Sequence, residues 1–206
     1  MNPIVSRETF TLLLAAVLDA EKIAVDDSFG DKMWLFYETL TKWNKTHKLT
    51  ANSDMENFIT KQVVDSLLFT KVDASMEGKK SLDFGSGGGF PGLPLAVHFR
   101  DEAFTLSDVV RKKTSFLSFA KAVIDAKNVE VFPGDALRIS RKFDYIFLKA
   151  VSGKKEFISS LTPLLSENGA IILYHSPSFT PDLPENFTIK QTVFDQNRTS
   201  AVSVIG

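Results

Sequence analysis

There is no cysteine in this sequence. That single absence excludes disulfides, thiol nucleophiles and cysteine-ligated metals, and it suits a cytoplasmic protein. Histidine is scarce: only His47, His98 and His175 occur, and none stands in a Ser/His/Asp order or at metal-ligand spacing. No hydrolase chemistry and no metal are therefore expected. Charge of one sign is not in excess, with a net charge of −1. No global field attracts nucleic acid, so any such contact has to come from local basic patches. Long hydrophobic runs are missing as well. The run from Leu12 to Leu18 falls far short of the roughly 20 residues needed to span a bilayer, and no membrane association is expected. Met1 to Thr11 is polar and acidic and shows no secretory leader pattern. Repeats and low-complexity segments are absent. What remains is 206 residues, 44% of them hydrophobic, enough for one good-sized core and a smaller appendage.

Two patterns divide the chain. Residues 1 to about 70 read as helices. Phe10, Leu13, Leu14, Val17 and Leu18 recur at helical spacing. After a break at Asp26 to Gly30, the stretch Met33 to Lys45 forms a second helix. Asn52, Ser53 and Asp54 offer caps for a third that holds Phe58 and Ile59. From Ser81 onward strands and helices alternate, which predicts a parallel sheet covered on both faces. The expected strands are 81–84, 104–107, 129–132, 143–148, 170–174, 187–194 and 200–205, with helices at 91–99, 112–126 and 154–164. No helix separates the last two strands, so they form an antiparallel hairpin at the sheet edge. Gly78 to Lys80 is the expected linker between an N-terminal helical region, residues 1–75, and a ligand-binding domain, residues 76–206.

The most informative stretch is Ser81 to Leu95. It starts as a strand, passes Gly85, Gly87, Gly88 and Gly89, and enters a helix near Pro91. Such a strand, glycine turn and helix N-terminus build a nucleotide-type ligand site at the carboxyl end of a parallel sheet. The dinucleotide fingerprint fails, because Phe90 occupies its last glycine position. No Gly-Lys-Ser/Thr follows, which excludes a phosphate-cradling loop. What is present is an acid ahead of the glycines: Asp83, Gly85, Gly87 and Gly89 at alternate positions. This is the pattern of S-adenosylmethionine (SAM) enzymes, whose ligand carries an α-amino group and no phosphate. Asp108, after the second strand, is placed to accept from a ribose diol. The expected architecture is a Rossmann-like class I SAM-dependent methyltransferase: a seven-stranded, mostly parallel sheet with a C-terminal antiparallel hairpin and an N-terminal helical extension.

The segment Leu82 to Ala96 closely resembles the LDVGSGAGFPGIPLA motif of the small-subunit ribosomal RNA methyltransferase G family (RsmG, also called GidB). Its Phe90-Pro91-Gly92-Leu93-Pro94 portion is unusual among methyltransferases. Leu106 to Leu117, containing Asp108 and the basic run Arg111-Lys112-Lys113, is similar to that family's acid followed by GKK and a helix. Trp43-Asn44 with Leu49-Thr50 is similar to WNKKMNLT, and Val64-Asp65-Ser66-Leu67 to HxxDSL, with Gln62 in the histidine position. The resemblance spans roughly residues 34 to 176. Three places differ: Lys149-Ala150 stands for Arg-Ala, Asp135-Ala136-Leu137 for RAE, and His175-Ser176 for Lys-Gly. These departures leave open a same-fold methyltransferase with another substrate, or a non-catalytic relative that binds SAM or RNA.

The resemblance implies methyl transfer from SAM to N7 of a guanine in 16S (small-subunit) rRNA, free or in a ribosomal particle, with S-adenosyl-L-homocysteine as product. A cytoplasmic monomer is expected. The candidate cofactor contacts are Asp83 (at the amino group, directly or through water), Gly85, Ser86 and Gly87 (close approach), Phe90 (pocket wall or core), Asp108 (ribose), Asp135 and Ala136 (adenine), and Lys149. Lys149 maps onto a functional arginine and is the candidate catalytic residue, donating to guanine O6 or a phosphate. Guanine N7 presents a lone pair and carries no proton, so no general base is needed. Lys42, Lys45, His47 and Lys48 around Trp43 suggest an RNA contact, with an ordinary core role for Trp43 as the alternative.

Overall fold

The computed structural model describes residues 6–51, 54–150 and 154–206. Two long helices open the chain, α1 (Arg7–Glu21) and α2 (Phe29–His47). The Ser6 side chain accepts from the Thr9 N–H and starts α1, and Lys22 in a left-handed conformation ends it. One composite helical segment follows: α3 (Met55–Asn57), a π-helix (Phe58–Val64), α4 (Asp65–Leu67) and a 3-10 turn (Leu68–Lys71). Asp54 is its N-cap, accepting from the Asn57 N–H. Asn52 and Ser53, the other cap candidates, lie outside the described residues. Seven residues of π-helix are uncommon, and such segments concentrate at functional sites.

The sheet contains β1 (Lys80–Phe84), β2 (Ala103–Asp108), β3 (Val129–Pro133), β4 (Phe143–Lys149), β5 (Leu165–His175), β6 (Ile189–Phe194) and β7 (Ala201–Ile205). Its order is β3-β2-β1-β4-β5-β7-β6. The first five strands run parallel, and β7 is antiparallel to both β5 and β6. Helices α5 (Gly92–His98), α6 (Arg111–Val123) and α7 (Lys155–Leu161) complete the crossovers. The chain reverses direction across the sheet between β1 and β4, which makes the carboxyl ends of those strands the switch-point crevice.

Side chains alternate along the strands into two cores. Ile146, Leu148, Ile171 and Leu173 point to one face with Ile158 and Leu161 of α7. Phe104, Phe147, Ile172 and Tyr174 point to the other, where Phe116 and Leu117 of α6 meet them. The N-terminal helices are part of this second core. Phe10, Phe36, Phe58 and Phe90 form a connected set of rings, with Phe36 to Phe90 centroids 5.2 Å apart. The N-terminal helices thus bury their aromatic faces in the same core as one face of the sheet. No helix among the described residues is long and apolar enough to cross a membrane.

Candidate active site

A cleft of about 560 Å³ opens at the carboxyl ends of β1, β2, β3 and β4. Its floor is the glycine turn, and both ends of that turn are held by carboxylates. Asp108 Oδ2 accepts from the Gly87 N–H at 3.1 Å, and Asp83 Oδ2 accepts from the Gly92 N–H at 3.0 Å. Gly87 has φ of +55°, a conformation that L side chains seldom adopt. Gly92 is required for space: a Cβ there would lie 2.5 Å from Asp83 Oδ2 and 2.9 Å from Leu106 Cγ. Backbone bonds tie the neighbouring strand ends to the same floor, from the Ser86 N–H to Ser107 O and from the Gly134 N–H to Asp108 O.

Of the expected cofactor contacts, Gly85, Ser86, Gly87, Phe90, Asp108, Asp135, Ala136 and Lys149 all line the cleft. Asp108 Oδ1 also accepts from the Val110 N–H at 2.8 Å, and Lys113 Nζ lies 3.4 Å from Oδ2. A carboxylate has about four acceptor positions, so one remains for a hydroxyl. Asp135 Oδ1 caps a short 3-10 turn by accepting from the Leu137 N–H, which leaves its second oxygen for a ligand amine. Val109 is an exposed apolar side chain at the rim (72%), and with Ala136 it offers apolar walls to a flat base. The donor set fits a nucleoside: acids for ribose and amine, apolar walls for the ring, and close backbone below.

Asp83 was expected at the SAM amino group, directly or through water, and its position speaks against the direct contact. It is 1% exposed, does not line the cleft and faces the underside of the turn. Burial pushes its carboxyl up to about 7, against the opposing effects of the Gly92 and Ser86 donors and the Lys149 charge. Its Ser86 neighbour is turned the same way, with the hydroxyl donating to Asp83 O.

Lys149, expected to donate to guanine O6 or a phosphate, lines the cleft at the end of β4. Its ammonium lies 2.6 Å from Asp65 Oδ2, donates to Lys61 O at 2.8 Å and sits over the Tyr174 ring at 5.8 Å from its centroid. The Lys149 and Asp65 side chains are only 15% and 10% exposed. The physical reason is the π-helix, which brings its carbonyl and the following acid against the end of β4. Tyr174 completes this wall by donating to Ser66 O at 2.7 Å, and burial raises its hydroxyl pKa well above the ordinary value.

Sequence reasoning missed several cleft residues: Leu49, Thr50, Lys61, Gln62 and Val109. For the first two there was a signal. Asn44 Oδ1 accepts from the Leu49 and Thr50 N–H groups, and its amide donates to Thr50 O, folding the chain after α2 back onto the cleft. The spacing of Asn44 to Leu49 and Thr50 is thus a polar turn that builds a wall. Trp43 packs on Phe116 and Phe119, each at 5.6 Å, in keeping with the core alternative. His175 bonds to Ser176 O and Ser203 Oγ at the hairpin and does not line the cleft.

Comparison with known proteins agrees with this geometry. The family model described as "rRNA small subunit methyltransferase G" (GidB) matches residues 30–201. The ribosomal RNA small subunit methyltransferase G of Burkholderia thailandensis is 32% identical over 203 residues, covering 93% of this chain and 87% of the relative. The same protein of Burkholderia pseudomallei strain K96243 matches to the same extent. Among solved structures, an O-methyltransferase of Bacillus cereus in complex with SAH superposes with a TM-score of 0.60 at 16% identity, covering 97% of this chain and 99% of that one. The putative methyltransferase yhhF of Escherichia coli gives a TM-score of 0.55 at 19% identity, covering 69% of this chain and 84% of that one. At such identities the structural matches establish the fold, which is that of the class I methyltransferases.

Proposed function

The chain belongs to the rRNA small subunit methyltransferase G family, and from that premise we propose that it methylates N7 of a guanine in small-subunit rRNA with SAM as donor. The observation that carries the reading is the cleft itself. A glycine turn lies at the switch point, with Asp108 at one side and Asp135 and Ala136 at the other. In this reading Asp108 accepts from the ribose, Asp135 from the adenine amine, and Gly85 and Gly87 let the backbone approach. Val109 and Ala136 cover the adenine ring. Asp83 acts from beneath by fixing the turn through Gly92.

SAM, when bound, supplies an activated methyl group on a sulfonium. Guanine N7 is already a lone-pair acceptor without a proton, so this chain has no proton to move. Its contribution is placement in a partly water-excluded cleft. That is consistent with a wall that, among the described residues, is made of Leu49, Thr50, Gln62 and a Lys149 paired with Asp65. Basic side chains near this wall, Lys48 and Lys61 among them, suit a polyanionic substrate. The reading takes the protein as a monomer. It puts the work of the protein in the cytoplasm.

The test is calorimetry with SAM, followed by methyl transfer from labelled SAM to unmodified small-subunit RNA and particles. We expect one modified guanine, with the label at N7. Label on another atom or base would overturn the N7 assignment. Binding of SAM with no transfer to either substrate would overturn the activity.

A further inference from the structure

Three lysines line the cleft, Lys61, Lys113 and Lys149; two are paired with an acid and the third is linked to one through a hydroxyl. Lys113 lies 3.4 Å from Asp108. Lys61 Nζ donates to the Thr199 hydroxyl at 2.6 Å, and that hydroxyl donates to Asp195 Oδ2 at 2.7 Å. Lys149 lies 2.6 Å from Asp65. This last pair is the most buried of the three, hence the least screened by water and salt. Asp65 itself does not line the cleft; it lines a smaller neighbouring one. It therefore touches no ligand in the cleft and acts on one through its charge and through the placement of Lys149.

We propose that Asp65 is a positioning and charge-cancelling residue that makes the cleft tolerant of a cationic ligand. The proposal rests on the reading of the cleft as a SAM site. SAM carries a sulfonium, its demethylated product carries a neutral thioether, and an N7-methylated guanine is cationic. An uncompensated ammonium in the cleft wall would oppose both the donor and the methylated base and would favour the spent cofactor. With Asp65 at contact distance, Lys149 keeps its donor to Lys61 O and its place over Tyr174, and the pair shows the cleft no net charge. Across a span of about 10 Å at an effective dielectric near 20, one unmatched unit charge changes affinity by about tenfold.

The experiment compares dissociation constants for SAM and S-adenosylhomocysteine, measured by calorimetry at neutral pH and low salt. The parent chain and three variants are used, with folding checked by circular dichroism. Asp65→Asn keeps an oxygen for the ammonium and removes the negative charge. The ratio of SAM to S-adenosylhomocysteine dissociation constants should rise about tenfold. Lys149→Gln leaves Asp65 unmatched, and the ratio should fall by a similar factor. The double variant should return to within about threefold of the parent. A purely structural role moves both ligands together and leaves the ratio unchanged. A ratio shifted by less than threefold in the single variants, or shifted in the opposite direction, overturns the proposal. Should Asp65→Asn fail to fold, Lys149→Gln and the double variant decide alone. If the parent protein binds neither ligand, the SAM reading fails first, and that result is distinct from a parent that binds both with variants of unchanged ratio.

Discussion

Replacing Asp83 by Asn is expected to stabilise the protein above neutral pH and to have a smaller effect in mild acid. Asp83 is fully buried, and loss of hydration raises its carboxyl from 3.8 to about 7. A carboxyl whose folded value exceeds its unfolded value holds an extra proton in the native state between those two limits. Its stabilising contribution is complete below about pH 4 and is lost as the pH rises through about 7. At roughly 1.4 kcal/mol for each pH unit, the ceiling for this loss is about 4 kcal/mol, more than half of it developing between about pH 5 and pH 8. Water entry and relaxation around the ion reduce the figure, so we expect about 2 kcal/mol over that range. Asp83→Asn keeps an oxygen to accept the Gly92 N–H and carries no proton equilibrium. The variant should therefore gain about 2 kcal/mol on the parent between pH 5 and pH 8, or about 4–8 °C in Tm for a chain of this size. Urea or thermal unfolding at constant ionic strength over that pH range measures the difference. Parallel stability profiles, with a gap that does not change with pH, would refute the reasoning.

Gly92→Ala should cost about 1–3 kcal/mol in urea unfolding, since the new Cβ meets both Asp83 and Leu106 in a packed region. Asp108→Asn should weaken SAM binding by about tenfold in calorimetry and cost about 1–2 kcal/mol, because one of the Gly87 and Val110 donors loses its charged acceptor. Glu21→Gln should cost about 1–3 kcal/mol and speed amide exchange at Gln196, as buried Glu21 holds both Lys71 and the Gln196 N–H. Trp43→Phe should leave methyl transfer unchanged at equal folded concentration, with a stability loss below about 2 kcal/mol. A large loss of RNA affinity in that variant would instead assign Trp43 to the substrate face.

The parts of the fold that were legible in the sequence are those with a short period. All seven strands fall where alternation and apolar runs put them, and the final hairpin follows from the absence of an intervening helix. β5 begins at Leu165, five residues earlier than expected. Leu165 pairs with Phe143, and the register then shifts so that Ala170 pairs with Tyr145. The π-helix was not legible, because its wider turn follows neither of the periods by which helices and strands are recognised. In the site, Asp108, Asp135 and the glycines were legible because strand ends and glycine turns fix where backbone and short acids go. The direction of Asp83 was not, since a strand-end acid can face either side of the turn and only the space left by Gly92 decides it. Lys149 could be placed at the cleft but not paired, because its partner comes from a helical segment far earlier in the chain.

The glycine turn is clamped from both sides by carboxylates of its own sheet, through Gly87 and Gly92. Its conformational entropy is consequently lost when the chain folds and not when a ligand arrives. A nucleoside then meets a turn whose backbone is already ordered, so loosening either clamp should weaken affinity and fold together. Selection for tight cofactor capture and selection for a durable fold would then act on the same few atoms.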